Sequence, residues 1–447
     1  MDELIVKGFF VLCKVFYYKT VTFSPETGIL KCTYSVDDTY PFSETITFPG
    51  APFRLSPDRT AALNAVFHLL HIALGISYYK AFLPPKLVTE TASLTPNQAR
   101  FFEDFYLNGL GEFAVRNDLN LQGKIHFPAG MGKESPSPIR FSPRALVPVG
   151  GGKDSCVTLA LLRETGHDFA TVSVGSARPI TDCQQLAGGP AFTIRRQLDP
   201  ALSELNASGK VLNGHVPITG VLAFVLWAAA ILYDYRYVVL SCERSANVGN
   251  LKQGDLAINH QYSKSFAFER SFGDLTREIT PDFHYFSLLR PLSEAHIARL
   301  FAEKCSRYFP VFTSCNKAFR LDLNRRLDRW CGACDKCRFV FLILAPFMDR
   351  DTLIRVVGQN PLDDPEQIQG FRELLGLSGH KPFECVGEIA ESRYAFQTLA
   401  ARPEWQSDAV IQALASLVPP TPADRIFVPN DDHLIPQEFS DVLVRFK

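Results

Sequence analysis

Apolar and polar positions follow three different rhythms along the chain. Up to about residue 50, short runs rich in β-branched and aromatic residues (Phe9 to Phe16, Leu30 to Tyr34) predict strands. Ser24-Pro25-Glu26-Thr27-Gly28, between them, carries the Pro and Gly of a turn. Ser56-Pro57-Asp58-Arg59 has the composition of a helix start, and Ala61 to Tyr79 is apolar with helical spacing. A second helix is predicted from about Thr95 to Asn108. Gly130 to Pro143 is rich in Pro and Gly among polar residues, which places a domain boundary there.

The middle of the chain alternates. Ala145 to Val149 reads as a strand, followed by a Gly-rich turn and a helix from about Ser155 to Thr165. Phe169 to Val174 is a second strand, about Ile218 to Tyr233 a long helix, and Tyr237 to Ser241 a third strand. Strands alternating with helices predict an α/β fold whose mainly parallel sheet is covered by helices on both faces. Beyond Thr280 the pattern becomes helical, and after about residue 419 it reads as a loose tail. The expected division is an N-terminal α+β domain over 1–140, an α/β catalytic domain over 141–345, and a helical C-terminal region over 346–447 that completes the active site.

Composition narrows the function. A chain of 447 residues supports two or three domains with sizeable cores. Lys plus Arg total 46 against 47 Asp plus Glu, a balance that argues against a nucleic-acid partner. Ile218 to Tyr233 is shorter than the roughly 20 residues needed to cross a bilayer, so it is expected to be a core helix, with no membrane partner. The first residues carry no secretory pattern. With eleven cysteines, an odd number, a reduced cytoplasmic setting is expected, some of them being metal ligands.

The most informative segment is Val147-Pro148-Val149-Gly150-Gly151-Gly152-Lys153-Asp154-Ser155, between a predicted strand and helix. Three glycines let the backbone approach a phosphate and turn its N–H groups inward, and the helix start adds its positive dipole end. Lys153 supplies a charge, Ser155 a hydroxyl, and Asp154 a carboxylate suited to Mg²⁺. The spacing fits neither Walker A nor Gly-x-Gly-x-x-Gly. It resembles the Ser-Gly-Gly-x-Asp-Ser signature of the PP-loop ATP pyrophosphatases (the adenine nucleotide alpha hydrolase-like fold), with Gly150 in place of the first Ser. That resemblance implies ATP as cosubstrate, a loop gripping the leaving pyrophosphate, and adenosine contacts at Val174, Gly175 and Ser176.

Cys331, Cys334 and Cys337, with Cys315 upstream, form a set suited to a tetrahedral structural Zn²⁺, Cys305 being the alternative fourth ligand. The cluster is similar to the zinc knot of 7-cyano-7-deazaguanine synthase, with a longer first spacing. Polar and aromatic segments beside apolar runs sharpen the substrate: Asn259 to Ser265, Ser287 to Glu294, Arg329 to Cys331 and Gly379 to Glu388. With the phosphate loop, Glu243-Arg244-Ser245-Ala246-Asn247 and Asn108 to Phe113, they resemble the UDP-N-acetylmuramoyl-L-alanyl-L-glutamate epimerases of the MurL type over nearly the whole chain.

The resemblance implies ATP-dependent inversion of the terminal glutamate of a UDP-linked muramoyl dipeptide. His380, Cys385, Lys381 and His260 are the candidates for moving the proton, being residue types that titrate near working pH. Arg244, Asn247, Lys264, Arg290 and Lys381 are the candidates for holding substrate anions. Two alternatives stay open on sequence: a PP-loop base- or tRNA-modifying enzyme, and a regulator that binds nucleotide without turning it over.

Overall fold

A computed structural model of the protein describes residues 13–130, 137–253, 256–320, 322–379 and 381–446. The chain forms two compact units, each built from separated stretches. Unit 1 takes the described residues up to Pro143 with Thr193–Val238 and Phe268–His284; unit 2 takes Arg144–Phe192, Val239–Ala267 and the residues from Tyr285 on.

In chain order the elements begin with strands β1 (Val15–Ser24), β2 (Ile29–Val36) and β3 (Tyr40–Thr47). Helix α1 (Pro57–Phe82), strand β4 (Lys86–Thr89) and helices α2 (Pro96–Gly109) and α3 (Gly111–Arg116) follow. Next come β5 (Ala145–Pro148), α4 (Lys153–Glu164), β6 (Phe169–Val174), α5 (Arg178–Ala187), β7 (Ala191–Gln197) and α6 (Pro200–Ser208). After them lie α7 (Ile218–Tyr233), β8 (Tyr237–Leu240), the hairpin β9 (Leu251–Gln253) and β10 (Leu256–Ile258), α8 (Phe266–Ile279) and β11 (His284–Ser287). The C-terminal part carries α9 (Glu294–Lys304), α10 (Asp335–Leu344), α11 (Arg350–Val357), α12 (Ile368–Leu374) and α13 (Ile389–Ala400).

Unit 1 has the strand order β7-β3-β2-β1-β4, antiparallel except for the β1–β4 pair. Alternate residues of β1 and β2 (Phe16, Tyr18, Leu30, Cys32, Tyr34, Val36) are buried, the period-2 pattern of a sheet with one face on a core. Helix α1 lies against that face. Ser56 caps it by accepting from the Arg59 amide, and Pro57 occupies the first turn. Gly75 permits the contact: a Cβ there would stand 2.5 Å from the Tyr18 ring. Thr95 and Gln98 form a capping box at the start of α2.

By length and composition α1 is the one helix, among the described residues, that could cross a membrane, and 72% of its apolar stretch is buried inside the protein. It packs against β1, β2 and α7. Its apolar length thus serves unit 1's own core. Helix α7, expected from sequence to belong with the phosphate loop, is in unit 1 instead. Its indole Trp227 donates to Thr280 Oγ1 at 2.8 Å. Hydrophobic period shows that a helix is buried, not which neighbour buries it.

Unit 2 carries the expected α/β arrangement, with strand order β11-β8-β5-β6 and β5 parallel to β6. Three of the four β5 residues and all of β8 are buried, as strands covered on both faces require. Helix α4 packs against α9. The segment after residue 419 is not a loose tail. Phe439, Val442 and Phe446 are each at most 1% exposed. The Phe439 ring stacks on His167 at 4.5 Å and meets Phe286 at 5.1 Å. Each such side chain contributes about 1.5–3 kcal/mol on burial, enough to hold a segment whose apolar residues follow no regular period.

Candidate active site

Strand β5 ends at Pro148 and α4 begins at Lys153, so Gly150, Gly151 and Gly152 turn the chain through one tight corner. The Val149 amide donates to Val172 O at 2.8 Å, fixing where the corner starts. Gly151 has φ +79°, and a Cβ on it would stand 3.0 Å from the Pro179 carbonyl carbon. Gly152 caps α4 without a side-chain bond, and a Cβ at Gly150 would meet nothing within 4 Å. The first-turn N–H groups of α4 therefore have no capping side chain, the usual form of an anion cradle at a helix start. Ser155 donates to Gly152 O at 3.1 Å.

Lys153 is 2% exposed and donates to Asp154 Oδ1 and Glu294 Oε2. Glu294 is the first residue of α9, whose N-cap Ser293 accepts from the His296 amide at 3.1 Å. Glu243 comes from the loop after β8. One carboxylate oxygen from each of Asp154, Glu243 and Glu294 lies within 4.8 Å of the others. Burial pushes the Glu294 carboxyl up to about 8; Lys153 opposes the shift, and the Asp154 and Glu243 charges add to it. Lys153, held between two carboxylates, stays protonated, so Glu294 is the member of the pair that titrates. Three converging hard oxygens suit Mg²⁺.

Arg290 is 1% exposed. Its guanidinium donates to Glu243 O at 2.7 Å and Lys264 O at 2.6 Å. It ties the carboxylate cluster to a second group, in which Lys264 Nζ donates to Cys385 Sγ at 3.1 Å. Burial raises the Cys385 thiol, but Lys264, the hydrogen bond from His260 and Lys336 outweigh it and bring it to about 6. Lys336 Nζ donates to Cys385 O, fixing the loop as well as its charge. Such a thiol is an anion at neutral pH.

Arg244 is half-buried. Its guanidinium donates to Val428 O at 2.9 Å and Arg425 O at 3.2 Å, pinning the C-terminal segment. Asn247 accepts from the Phe266 amide at 2.7 Å, although the residue is exposed. Lys381 is 8% exposed, and its Nζ has no hydrogen-bond partner among the described residues. Val174, Gly175 and Ser176 stand at the carboxyl end of β6, Ser176 exposed and Gly175 at φ +96°. That is where ligands sit in open α/β sheets. His380 lies outside the described residues.

Cys315, Cys331, Cys334 and Cys337 converge, with Cys331–Cys337 and Cys334–Cys337 sulfur distances of 3.8 and 3.5 Å. Zn–S bonds of about 2.3 Å at tetrahedral angles place sulfurs about 3.8 Å apart, so the set fits a zinc ion. Hydrogen bonds from Cys334 and Cys337 pull the Cys315 thiol down to about 3, while the bonds of Cys337 to Cys315 and Cys334 push Cys337 upward. Four sulfurs this close cannot all ionise without a cation between them. Phe319 and Trp330 pack against the cluster.

Glu243, Glu294 and Lys336 escaped the sequence reading as site residues. Lys153 and Glu294 are 141 positions apart, and no motif links them. The helix-start pair Ser293-Glu294, inside a segment already marked as polar, was the only local signal.

The titration of Cys385 is directly testable. Site-resolved alkylation by iodoacetamide is expected to rise with pH about a midpoint near 6. Lys264→Met should move that midpoint up to about 8 or beyond, because burial then dominates. An unchanged midpoint would remove the Lys264–Cys385 pairing.

A family model described as the MurL N-terminal domain matches residues 11–288, and one described as the MurL C-terminal domain matches 311–426. A UDP-N-acetyl-alpha-D-muramoyl-L-alanyl-L-glutamate epimerase of Xanthomonas oryzae pv. oryzae is 44% identical over 87% of this chain and 86% of its own length. Its counterparts in Salinispora tropica and a Micromonospora species are each 41% identical, over 96% and 90% of this chain and 95% and 91% of their own lengths. Both halves of the chain and nearly its full length are covered: this protein belongs to the MurL family.

Proposed function

We propose that this protein inverts the terminal L-glutamate of UDP-N-acetylmuramoyl-L-alanyl-L-glutamate to the D isomer, using ATP, in the supply of a peptidoglycan precursor. The observation that carries the reading is the joining, through Arg290, of a phosphate-loop carboxylate cluster to a thiolate–lysine pair. The names of the relatives support the substrate.

The chemistry calls for both groups. The terminal glutamate has an acylated nitrogen, and its Cα–H is a poor acid beside an ionised carboxylate. Attack of the α-carboxylate oxygen on the α-phosphorus of ATP expels pyrophosphate and leaves an acyl adenylate, whose Cα–H is far more acidic. The α rather than the γ carboxyl is the one to activate, since only it adjoins the carbon being inverted. A base removes the proton, an acid returns one to the opposite face, and water then splits the acyl phosphate into carboxylate and AMP.

The Gly150–Gly152 amides and the α4 N-terminus would hold the pyrophosphate portion, with Val174, Gly175 and Ser176 beside the adenosine. Asp154, Glu243 and Glu294 would hold Mg²⁺, which supplies positive charge against the phosphates. The Cys385 thiolate, kept ionised by Lys264 and His260, is a proton acceptor of suitable basicity. His380, five positions before Cys385 in the sequence, is a second proton-carrying candidate. The four-cysteine cluster would hold a structural zinc.

Purified protein with ATP and Mg²⁺ should release AMP only when UDP-MurNAc-L-Ala-L-Glu is added, and chiral analysis should find D-glutamate. Asp154→Asn should lower AMP release by about 10³-fold with the protein still folded. AMP without inversion would refute the epimerase reading, and normal turnover in Asp154→Asn would remove the cation role. Metal analysis should find one zinc per chain, lost together with soluble yield in Cys334→Ser; a metal-free, stable wild type would contradict the zinc assignment.

A further inference from the structure

Four buried or half-buried cations were available to meet the anions of the substrate, and the structure commits three of them elsewhere. Arg244 donates to main-chain carbonyls of the C-terminal segment. Arg290 donates to those of Glu243 and Lys264. Lys264 pairs with Cys385. Lys381 alone among these has a buried head group with no hydrogen-bond acceptor among the described residues.

Its surroundings explain neither its burial nor its position. Burial disfavours its charge; Glu243, Glu391, Glu388 and Glu294 favour it, yet none accepts a hydrogen bond from it. Two of those carboxylates have other donors. Glu391 accepts from Ser245 Oγ at 2.9 Å, the Glu388 amide at 2.7 Å and the Ala295 amide at 3.3 Å. Glu294 accepts from Lys153. The loop that carries Lys381 is held in place, since Asn250 Nδ2 donates to Pro382 O at 2.7 Å and Lys336 to Cys385 O. A donor fixed and desolvated without an acceptor is costly, and such groups are expected where a ligand brings the acceptor.

We propose that Lys381 binds the side-chain γ-carboxylate of the glutamate being inverted and so determines which carboxyl is activated. The assignment rests on the function proposed above. That substrate residue carries two carboxylates of similar nucleophilicity. Adenylation of the γ group would consume ATP without acidifying the Cα–H. A single ammonium holding the γ-carboxylate leaves the α-carboxylate free to reach the α-phosphorus. It also makes the site reject residues without a side-chain charge, since the buried ammonium would then stay unpaired. Lys381 forms and breaks no covalent bond in this role.

The test compares two substrates on full-length enzyme: UDP-MurNAc-L-Ala-L-Glu and its isosteric amide, UDP-MurNAc-L-Ala-L-Gln, with AMP release measured under ATP and Mg²⁺. Wild type is expected to prefer Glu by at least about 10²-fold in kcat/KM. In Lys381→Met, turnover of the Glu substrate should fall about 10²–10³-fold, chiefly through KM, while the Gln substrate changes less than about threefold. The preference then collapses. Parallel losses on both substrates would instead make Lys381 a general counter-charge for the glutamates, and an intact preference would remove it from the substrate altogether; either overturns the proposal. If Lys381→Met does not fold, Lys381→Arg, which keeps the charge, should still prefer Glu by more than about tenfold; equal turnover overturns it. A wild type that releases AMP with neither substrate would defeat the functional reading itself, and the assignment with it, an outcome distinct from all the others.

Discussion

The constraint on which unit 2 depends is the convergence of Asp154, Glu243 and Glu294 around the buried ammonium of Lys153. In water three such carboxylates would repel weakly; in a desolvated cleft their repulsion is several-fold stronger and must be balanced by fixed charge. Much of the surrounding structure can be understood as that balance. The glycine corner places Lys153 and Asp154 at the start of α4, Ser293 starts α9 so that Glu294 emerges at its first turn, and Arg290 anchors the Glu243 main chain from beneath. Burial, with the Asp154 and Glu243 charges adding to it, pushes the Glu294 carboxyl up to about 8 against the opposing pull of Lys153.

Arg290 also links two groups of different chemistry. By holding the main chain of both Glu243 and Lys264 it joins the carboxylate cluster to the Lys264–Cys385 pair. Lys264, with His260 and Lys336, outweighs burial at Cys385 and keeps it an anion, whereas Lys153 only opposes the rise that burial imposes on Glu294. A Cα proton made acidic by an acyl phosphate needs only a moderate base, and a thiol brought to about 6 is such a base at neutral pH. The proposed route calls for no pyridoxal chemistry, which an acylated glutamate nitrogen could not support.

What could be read from the sequence divides by range. The glycine corner between β5 and α4 was legible because its determinants are contiguous: an apolar strand, three glycines and a helix start within nine residues. The four-cysteine cluster was legible because three of its members lie within one turn-sized segment. Glu294 was not, since it meets Lys153 across 141 positions. The carbonyl contacts of Arg244 and Arg290 were not legible either, because residue type does not reveal which groups of its own chain a guanidinium meets. Strand β3 went unnoticed because Pro41 interrupts its alternation, and β7 because it ends in Arg195-Arg196-Gln197. Helix α7 was found in full, yet its partner, α1, was not.

The central claim is that phosphoryl chemistry at the carboxylate cluster and proton exchange at the thiolate act on one substrate in one cycle. The most direct measurement follows single-turnover reaction of UDP-MurNAc-L-Ala-L-Glu with ATP in deuterated water, counting AMP and Cα-deuterium in the glutamate together. The account predicts one Cα-deuterium in the D-glutamate product for each AMP released, and no exchange when ATP is withheld. Deuterium entering without AMP, or AMP accumulating while the Cα keeps its proton, would contradict it.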